Sequence, residues 1–545
     1  MFLKRKLTVM ATMALMSATL LVGCSTTGSS KGEATSKEVL ANENARAAIA
    51  QVIDKEALCD VILNNGSFST DIWTAKSLAF DDGKDYTDLL EDAGYKYDEE
   101  AAKEAWSKAK EEVGFDTVTM ELLTYDNDSS KKLAEFVQNE LADLEGLNVN
   151  IANLPFEQKL DKESNGEFDI SISGWGADYP DPLTFLATME TGSQYAKQVG
   201  YSSEEYDKLI QEAMTLPTTE AYAKYAEAEK LMLEDGFLAP LYQKGVAYLE
   251  REYVSGVISN SWGADYTYTY ADVDKTEKVL NLVESANIPT LDVSKSTDQV
   301  SFQTMNSAME GLTRVDGDGK VQPGVAESWE CSEDGLTWTF KLRKNSVWSN
   351  GTPVTAKDFE YSWKRTLNPD TASEYAYIMY DIVGAQDYNL NGGDVSAVGV
   401  KAVDDYTFEV KLNRPIAYFA ELMSFQTFFP QNEEFVKSCG DSYGTAADKQ
   451  LYNGPFTLST WKKEDIFTLT KNDKYWDAAN VKLQTINNKI VKDTGAAINL
   501  YEAKEIDIVG LSAEYVDKYK NDSNYKTKEL ASTFMLQLNG GNHEE

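Results

Sequence analysis

Gly174-Trp175-Gly176-Ala177-Asp178-Tyr179-Pro180-Asp181-Pro182 closes an alternating run, Phe168-Asp169-Ile170-Ser171-Ile172-Ser173. A period of two predicts a β-strand. The strand ends in an indole, small residues and a carboxylate. Pro180 and Pro182, which lack an N–H, stop further pairing. An indole face and an acid at a strand's end can hold one end of a small molecule that carries an amine. The same letters fit a turn whose Asp caps a helix, and the local pattern leaves both readings open.

Working outward, residues 41–250 read as one α/β lobe. Strands are predicted near Val118–Tyr125, at Leu147–Leu154 and at 168–173, with a helix carrying Leu133, Phe136, Val137, Leu141 and Leu144 on one face. Helices Glu204–Met214 and Thr219–Leu233 follow. The 174–182 motif thus sits at a strand's carboxyl end, where open α/β sheets place ligands. From about residue 276 a second set begins with a strand at Lys278–Val283 and a helix near Gln303–Leu312. A further strand, the Asn350-Gly351 turn and a helix capped by Thr355 come after it.

Composition narrows the function. The 545 residues carry a net charge of −38, which argues against nucleic acid because phosphate binding needs clustered Lys and Arg. The one histidine, His543, stands near the end, so imidazole-based catalysis and most zinc sites are not expected. Cys59, Cys331 and Cys439 are widely spaced and show neither a disulfide framework nor a metal spacing. Thirty tyrosines and ten tryptophans suit a binding surface of flat apolar faces with polar edges. No cofactor or metal is expected.

The N-terminus reads as an address. Lys4, Arg5 and Lys6 precede an apolar run that ends in Leu21-Val22-Gly23-Cys24, which resembles the lipobox of bacterial lipoproteins. Residues 1–23 are then a signal peptide, Cys24 the lipidation site, and 24–40 a flexible tether. An ordinary secretory signal is the alternative.

Two stretches resemble the extracellular solute-binding proteins of the peptide and oligopeptide ABC-importer class, family 5. One is Gly174–Pro182, which matches GWxADYPDP. The other is Phe340–Trp363, which matches FxLRxxxxWSxGTPVTAxDxxYSW without a gap. Asn453-Gly454-Pro455-Phe456, Lys474-Tyr475-Trp476-Asp477 and Glu505-Ile506-Asp507-Ile508 echo it further. The resemblance implies an α/β, two-lobed periplasmic-binding-protein-like fold with an additional smaller domain and a ligand cleft between the lobes. Residues 41–250 form one lobe, 251–310 with 436–545 the other, and 311–435 the smaller domain. It implies that Asp178 binds a peptide's α-amino group and that Trp175 packs on the first residue. Gly174 and Gly176 offer backbone hydrogen bonds, with Tyr179 beside them. Phe156, Tyr242, Tyr375 and Tyr377 line side-chain pockets. It also implies a non-catalytic, monomeric protein at the outer face of the bacterial cell membrane, partnered by an oligopeptide and by the membrane subunits of an importer.

Two departures stand out. The family's order is reversed here, as in a circular permutation joined near Asp272–Thr276 and opened between the strand at 534–539 and the helix at Asn44. Asn539–Glu545 and Lys37–Asn44 are therefore expected to be neighbours. In the stretch where some members hold a peptide's carboxylate, only Lys162 is basic, so an enforced peptide length is not expected. Trp262-Gly263-Ala264-Asp265-Tyr266 repeats the motif without Pro-Asp-Pro and is read as structural. Other readings remain open: an oligosaccharide or other solute as cargo, a secreted glycoside hydrolase, or a peptide sensor without transport.

Overall fold

The computed structural model describes residues 32–541; Cys24 and His543 lie outside them. The alternating run forms the strand Ile170–Gly176 in an eight-stranded sheet. The sheet's order is Glu33–Ala34, Thr117–Tyr125, Ile170–Gly176, Tyr525–Leu538, Leu238–Glu250 and Phe68–Ser69. Leu147–Leu154 pairs beside Thr117–Tyr125, and Ile508–Gly510 beside Leu238–Glu250. Thr117–Tyr125 runs parallel to both Leu147–Leu154 and Ile170–Gly176. Parallel neighbours require crossovers, here the helices Asp128–Leu141 and Phe156–Ser164. The first buries Leu133, Ala134, Val137 and Leu141, three of which, Leu133, Val137 and Leu141, belong to the face that the sequence presents.

A second, four-stranded sheet follows the order Val279–Glu284, Thr485–Ile490, Ile466–Lys471 and Phe456–Lys462. A third holds Ala326–Cys331, Thr337–Leu342, Thr407–Lys411 and Val400–Asp404. The helix Ala356–Thr366 covers it, with Phe359 and Trp363 packed on Phe408. Thr355 and Asp358 form the capping box of that helix, which satisfies its free N-terminal amides. The chain is thus α/β, with two lobes and a smaller third unit.

The strands Leu238–Glu250 and Tyr525–Leu538, 13 and 14 residues long, tie the lobes together. At one end they complete the first sheet. At the other, Ala247 and Leu249 pack with Ile498, Tyr501, Ile506 and Val509. Between these ends their register shifts across Glu529–Thr533, a bulge that bends the pair.

Two boundaries differ from the sequence reading. Of the stretch assigned to a tether, Glu33–Ala34 pairs with Thr117–Val118 and Ser36–Leu40 forms a helix with a Thr35–Glu38 capping box. Val39 and Leu40 are apolar and fully buried, so this segment has a core to enter. Tyr525–Leu538, assigned with 436–545 to the second lobe, lies in the first sheet between Ile170–Gly176 and Leu238–Glu250. Its length carries it from one lobe to the other. Gly540 lies against the Leu40 backbone, which places Asn539–Gly541 beside the segment after Lys37.

Candidate functional site

Leu538 to Ser532 pair with Ile170 to Gly176 along one edge of the motif strand. On the other edge Thr117–Tyr125 reaches only Ile170 and Ser171, leaving the strand's end unpaired. Ala177 N donates to Ala531 O (2.8 Å), so the alternate residues Gly174 and Gly176 turn their backbone groups to the open edge. There Gly174 O accepts from the Tyr195 hydroxyl (2.9 Å).

Past the strand, the two aspartates divide the two readings of the motif between them. Asp181 Oδ1 accepts from Leu183 N (3.0 Å) and starts the short helix Leu183–Leu186; it is the turn-forming acid. Asp178 is held by its backbone, whose N–H donates to Thr184 Oγ1 (2.9 Å). Thr184 O also accepts from Trp175 Nε1 (2.9 Å). One threonine therefore fixes both the indole and the acid.

The Asp178 side chain is 4% exposed. Its Oδ1 has one long hydrogen bond, from the Tyr375 hydroxyl (3.4 Å), and its Oδ2 has no partner among the described residues. Burial pushes its carboxyl well above the usual carboxylate range, and the Tyr375 hydrogen bond only partly opposes this. Around it, the Trp175 ring stacks on Tyr375 (5.8 Å, 13°) and meets the Tyr195 ring edge-on (5.4 Å, 76°).

Asp178 opens on a cavity of about 940 Å³. Its lining includes Phe156 and Trp175, next to the first sheet, Leu282, Phe467 and Leu469 on strands of the second sheet, and Tyr375. Phe156 stacks on Tyr125 (5.4 Å, 27°). Beneath Tyr125 lies Lys159, fully buried with its Nζ 4.3 Å from the ring centroid. Lys159 Nζ donates to Glu163 Oε1 (2.5 Å), which also accepts from Ser171 Oγ (2.7 Å). Burial lowers the Lys159 pKa and Glu163 opposes that fall. The pair ties the floor of the cavity to the motif strand.

Of the residues chosen from sequence, Gly174, Trp175, Gly176, Asp178, Phe156 and Tyr375 line the cavity. Three fall outside its lining. Tyr179, past the strand's end, stacks on Tyr418 (4.8 Å, 8°). Tyr242 stacks on Phe534 (5.0 Å, 5°). Tyr377 backs Tyr375 (5.7 Å, 28°). Lys162 pairs with Glu121 (3.0 Å) and is not in the lining. The motif's repeat packs on the original: Gly263 N donates to Ala177 O (2.7 Å). Its Asp265 accepts from Gln299 Nε2 (2.7 Å) and also lines the cavity, so this structural repeat contributes to the wall. Sequence reasoning missed Tyr195 and Lys244, which carry no local motif. Among the described residues no group of three or more His, Cys, Asp or Glu is placed to hold a metal ion, and no helix is long and apolar enough to cross a membrane.

The family model of the bacterial extracellular solute-binding proteins, family 5 Middle, matches residues 20–197 and 320–543. The chain belongs to this family. It is 39% identical over 249 residues to the oligopeptide-binding protein OppA of Bacillus subtilis, covering 45% of this chain and 46% of that protein. It is 38% identical over 264 residues to the dipeptide-binding protein DppE of the same organism, covering 48% of each. Among solved structures, Listeria monocytogenes OppA bound to peptide is 44% identical over 46% of this chain and 50% of that one, with a TM-score of 0.46. The chain thus spans about half the length of the curated relatives it matches.

Proposed function

We propose that this family 5 protein captures oligopeptides in the cavity between its lobes and delivers them to an ABC importer, without catalysing a reaction. The observation that carries the reading is Asp178: a buried carboxyl whose Oδ2 has no hydrogen-bond partner among the described residues, facing a large aromatic-walled cavity. An unpaired buried charge is costly, and a peptide's α-ammonium supplies the missing partner. Such a charge-assisted hydrogen bond contributes about 1.5–3 kcal/mol. Trp175 gives the first residue an apolar face, and the open edge at Gly176 lets a peptide add as a strand, which recognises main chain and tolerates many sequences. Cys24 anchors the protein by lipid to the outer face of the membrane, and closure of the lobes about the bulged strands encloses the ligand.

The reversed order of the two signature segments belongs to the same proposal: the chain is a circular permutant of the family fold. A collinear alignment can then use only one half of each relative, which accounts for coverage near one half on both sides.

Native mass spectrometry of the gently purified protein tests the function. A spread of extra masses fitting short peptides, released on denaturation and lost in Asp178→Ala, is the expected result. A folded protein with no such masses, even after incubation with a peptide mixture, overturns it.

A further inference from the structure

The open edge of the motif strand offers a ligand two residues, Gly174 and Gly176, whose backbone groups face away from Tyr525–Leu538. They are not equally free. Gly176 is exposed and Gly174 half-buried, and the Gly174 carbonyl already accepts from the Tyr195 hydroxyl (2.9 Å). Burial raises the Tyr195 pKa, so the phenol keeps its proton and stays a donor.

Packing holds Tyr195 at this edge. The side chain lines the cavity yet is 4% exposed. Its ring meets the Trp175 ring edge-on (5.4 Å, 76°) and the Trp73 ring at a tilt (5.9 Å, 53°). Trp73 is fully buried, and its Nε1 donates to Phe185 O (3.0 Å). The Tyr195 backbone belongs to the short helix Gln194–Val199. Gln537 Nε2 donates to Gln198 Oε1 (2.8 Å) and Gly541 N to Val199 O (2.9 Å), which tie that helix to the end of the long strand behind the motif. Moving the hydroxyl off the carbonyl therefore disturbs the motif's own indole.

A ligand whose ammonium sits at Asp178 runs back along the open edge, antiparallel to Ile170–Gly176. In such pairing a ligand residue exchanges both an N–H and a C=O bond with the residue opposite. These pairs recur every second residue, about 7 Å apart. The ligand residue opposite Gly176 finds both groups. The residue two further on stands opposite Gly174, where the acceptor for its N–H is occupied.

We infer that Tyr195 sets main-chain specificity by taking the ligand's place at the Gly174 carbonyl. The site then reads the ligand N–H opposite Gly176 and not the one two residues further on, where it accepts a residue that has no N–H, as proline does. The inference rests on the peptide reading above.

Dissociation constants are to be measured for penta-alanine, for analogues in which one inner amide at a time becomes an ester, which removes a single N–H, and for the single-proline analogues. The proteins are the full chain, Tyr195→Phe and Asp178→Asn, each checked by thermal melting. With the unaltered chain, one ester weakens binding by about fivefold or more, the worth of one hydrogen bond, while the ester two residues further on changes it by about twofold or less. Proline is accepted at that second residue. Tyr195→Phe keeps the ring and frees the carbonyl, so there the second ester also costs about fivefold. Should Tyr195→Phe fail to fold, the scan on the unaltered chain decides alone. Losses at both residues with the unaltered chain show that the hydroxyl yields to the ligand, and they overturn the inference. A second ester that stays silent in Tyr195→Phe, exclusion of proline, or a scan in which no ester costs anything overturns it as well. In each of these cases the peptide reading stands as long as Asp178→Asn weakens binding. No binding of any peptide, and no effect of Asp178→Asn, overturns the peptide reading and this inference with it.

Discussion

At the residue scale, Asp178 couples ligand binding to protons. Its carboxyl is raised by burial, so the folded, empty protein holds that proton more tightly than the unfolded chain does. Stability therefore falls as pH rises from the ordinary aspartate pKa, about 3.9, toward the folded value, and the loss is complete above it. Asp178→Asn removes that loss. We expect it to stabilise the empty protein near neutral pH, by about 1–3 kcal/mol for relief of a poorly satisfied buried carboxylate, with the advantage vanishing near about pH 4; thermal melts at both pH values check this. A ligand ammonium favours the carboxylate, so peptide binding expels a proton wherever the empty site is protonated. Calorimetry in buffers of different ionisation enthalpy measures that release, and an uptake instead contradicts the assignment. The acid at 178 is legible from the motif. Its division of labour with Asp181 is not, because either residue can cap a turn in sequence and only the Thr184 and Leu183 contacts separate them.

At the scale of elements, the motif strand's glycines differ in what a side chain meets. A Cβ on Gly174 stands 2.9 Å from the Phe534 ring, which is itself held against Tyr242. A Cβ on Gly176 stands 3.0 Å from Ser532 Oγ, a group that can turn away. Gly174→Ala is expected to destabilise by about 1–3 kcal/mol and Gly176→Ala by less, as denaturant midpoints will show. The long helix Thr218–Asp235 is fastened by Glu229, fully buried, which accepts from Trp73 N, Thr74 N, Thr74 Oγ1 and Tyr86 OH. Glu229→Ala leaves four donors unpaired and is expected to cost about 3–5 kcal/mol or prevent folding. Retention of the unaltered melting temperature would show that these donors find other partners. Period and capping reveal such elements in the sequence: Leu147–Leu154 forms where alternation places it, and Thr355 caps its helix. The anchor at Glu229 is silent, because its donors lie more than 140 residues away.

At the scale of the whole molecule, the ends of the described chain meet: Gly540 lies on the Leu40 backbone. A rejoined chain that starts at residue 276, passes from 541 to 36 through a short linker and ends at 274 closes only a small gap. The entropy of a few linker residues is a minor term. We expect it to fold with the same circular dichroism and a melting temperature within a few degrees, about 1 kcal/mol or less of change, and to bind the same peptides. A chain that aggregates, or folds without binding, shows that the present order is needed.

The sequence by itself determined the strand and its terminal Trp175 and Asp178, and the helices with their caps. These follow from short-range periodicity and fixed spacing, which a linear string preserves. Tertiary structure alone decided the rest. Tyr179, Tyr242 and Tyr377 turned into aromatic stacks rather than the cavity, Ser36–Leu40 folded into the core, and Tyr525–Leu538 crossed into the first sheet. Lys244 came to face Asp178's cavity from a strand two places across that sheet. Apart from Tyr377, whose stack on Tyr375 is local, the physical reason is shared: which face an aromatic ring or a lysine presents depends on pairing between segments far apart in the chain, and that pairing leaves no local mark.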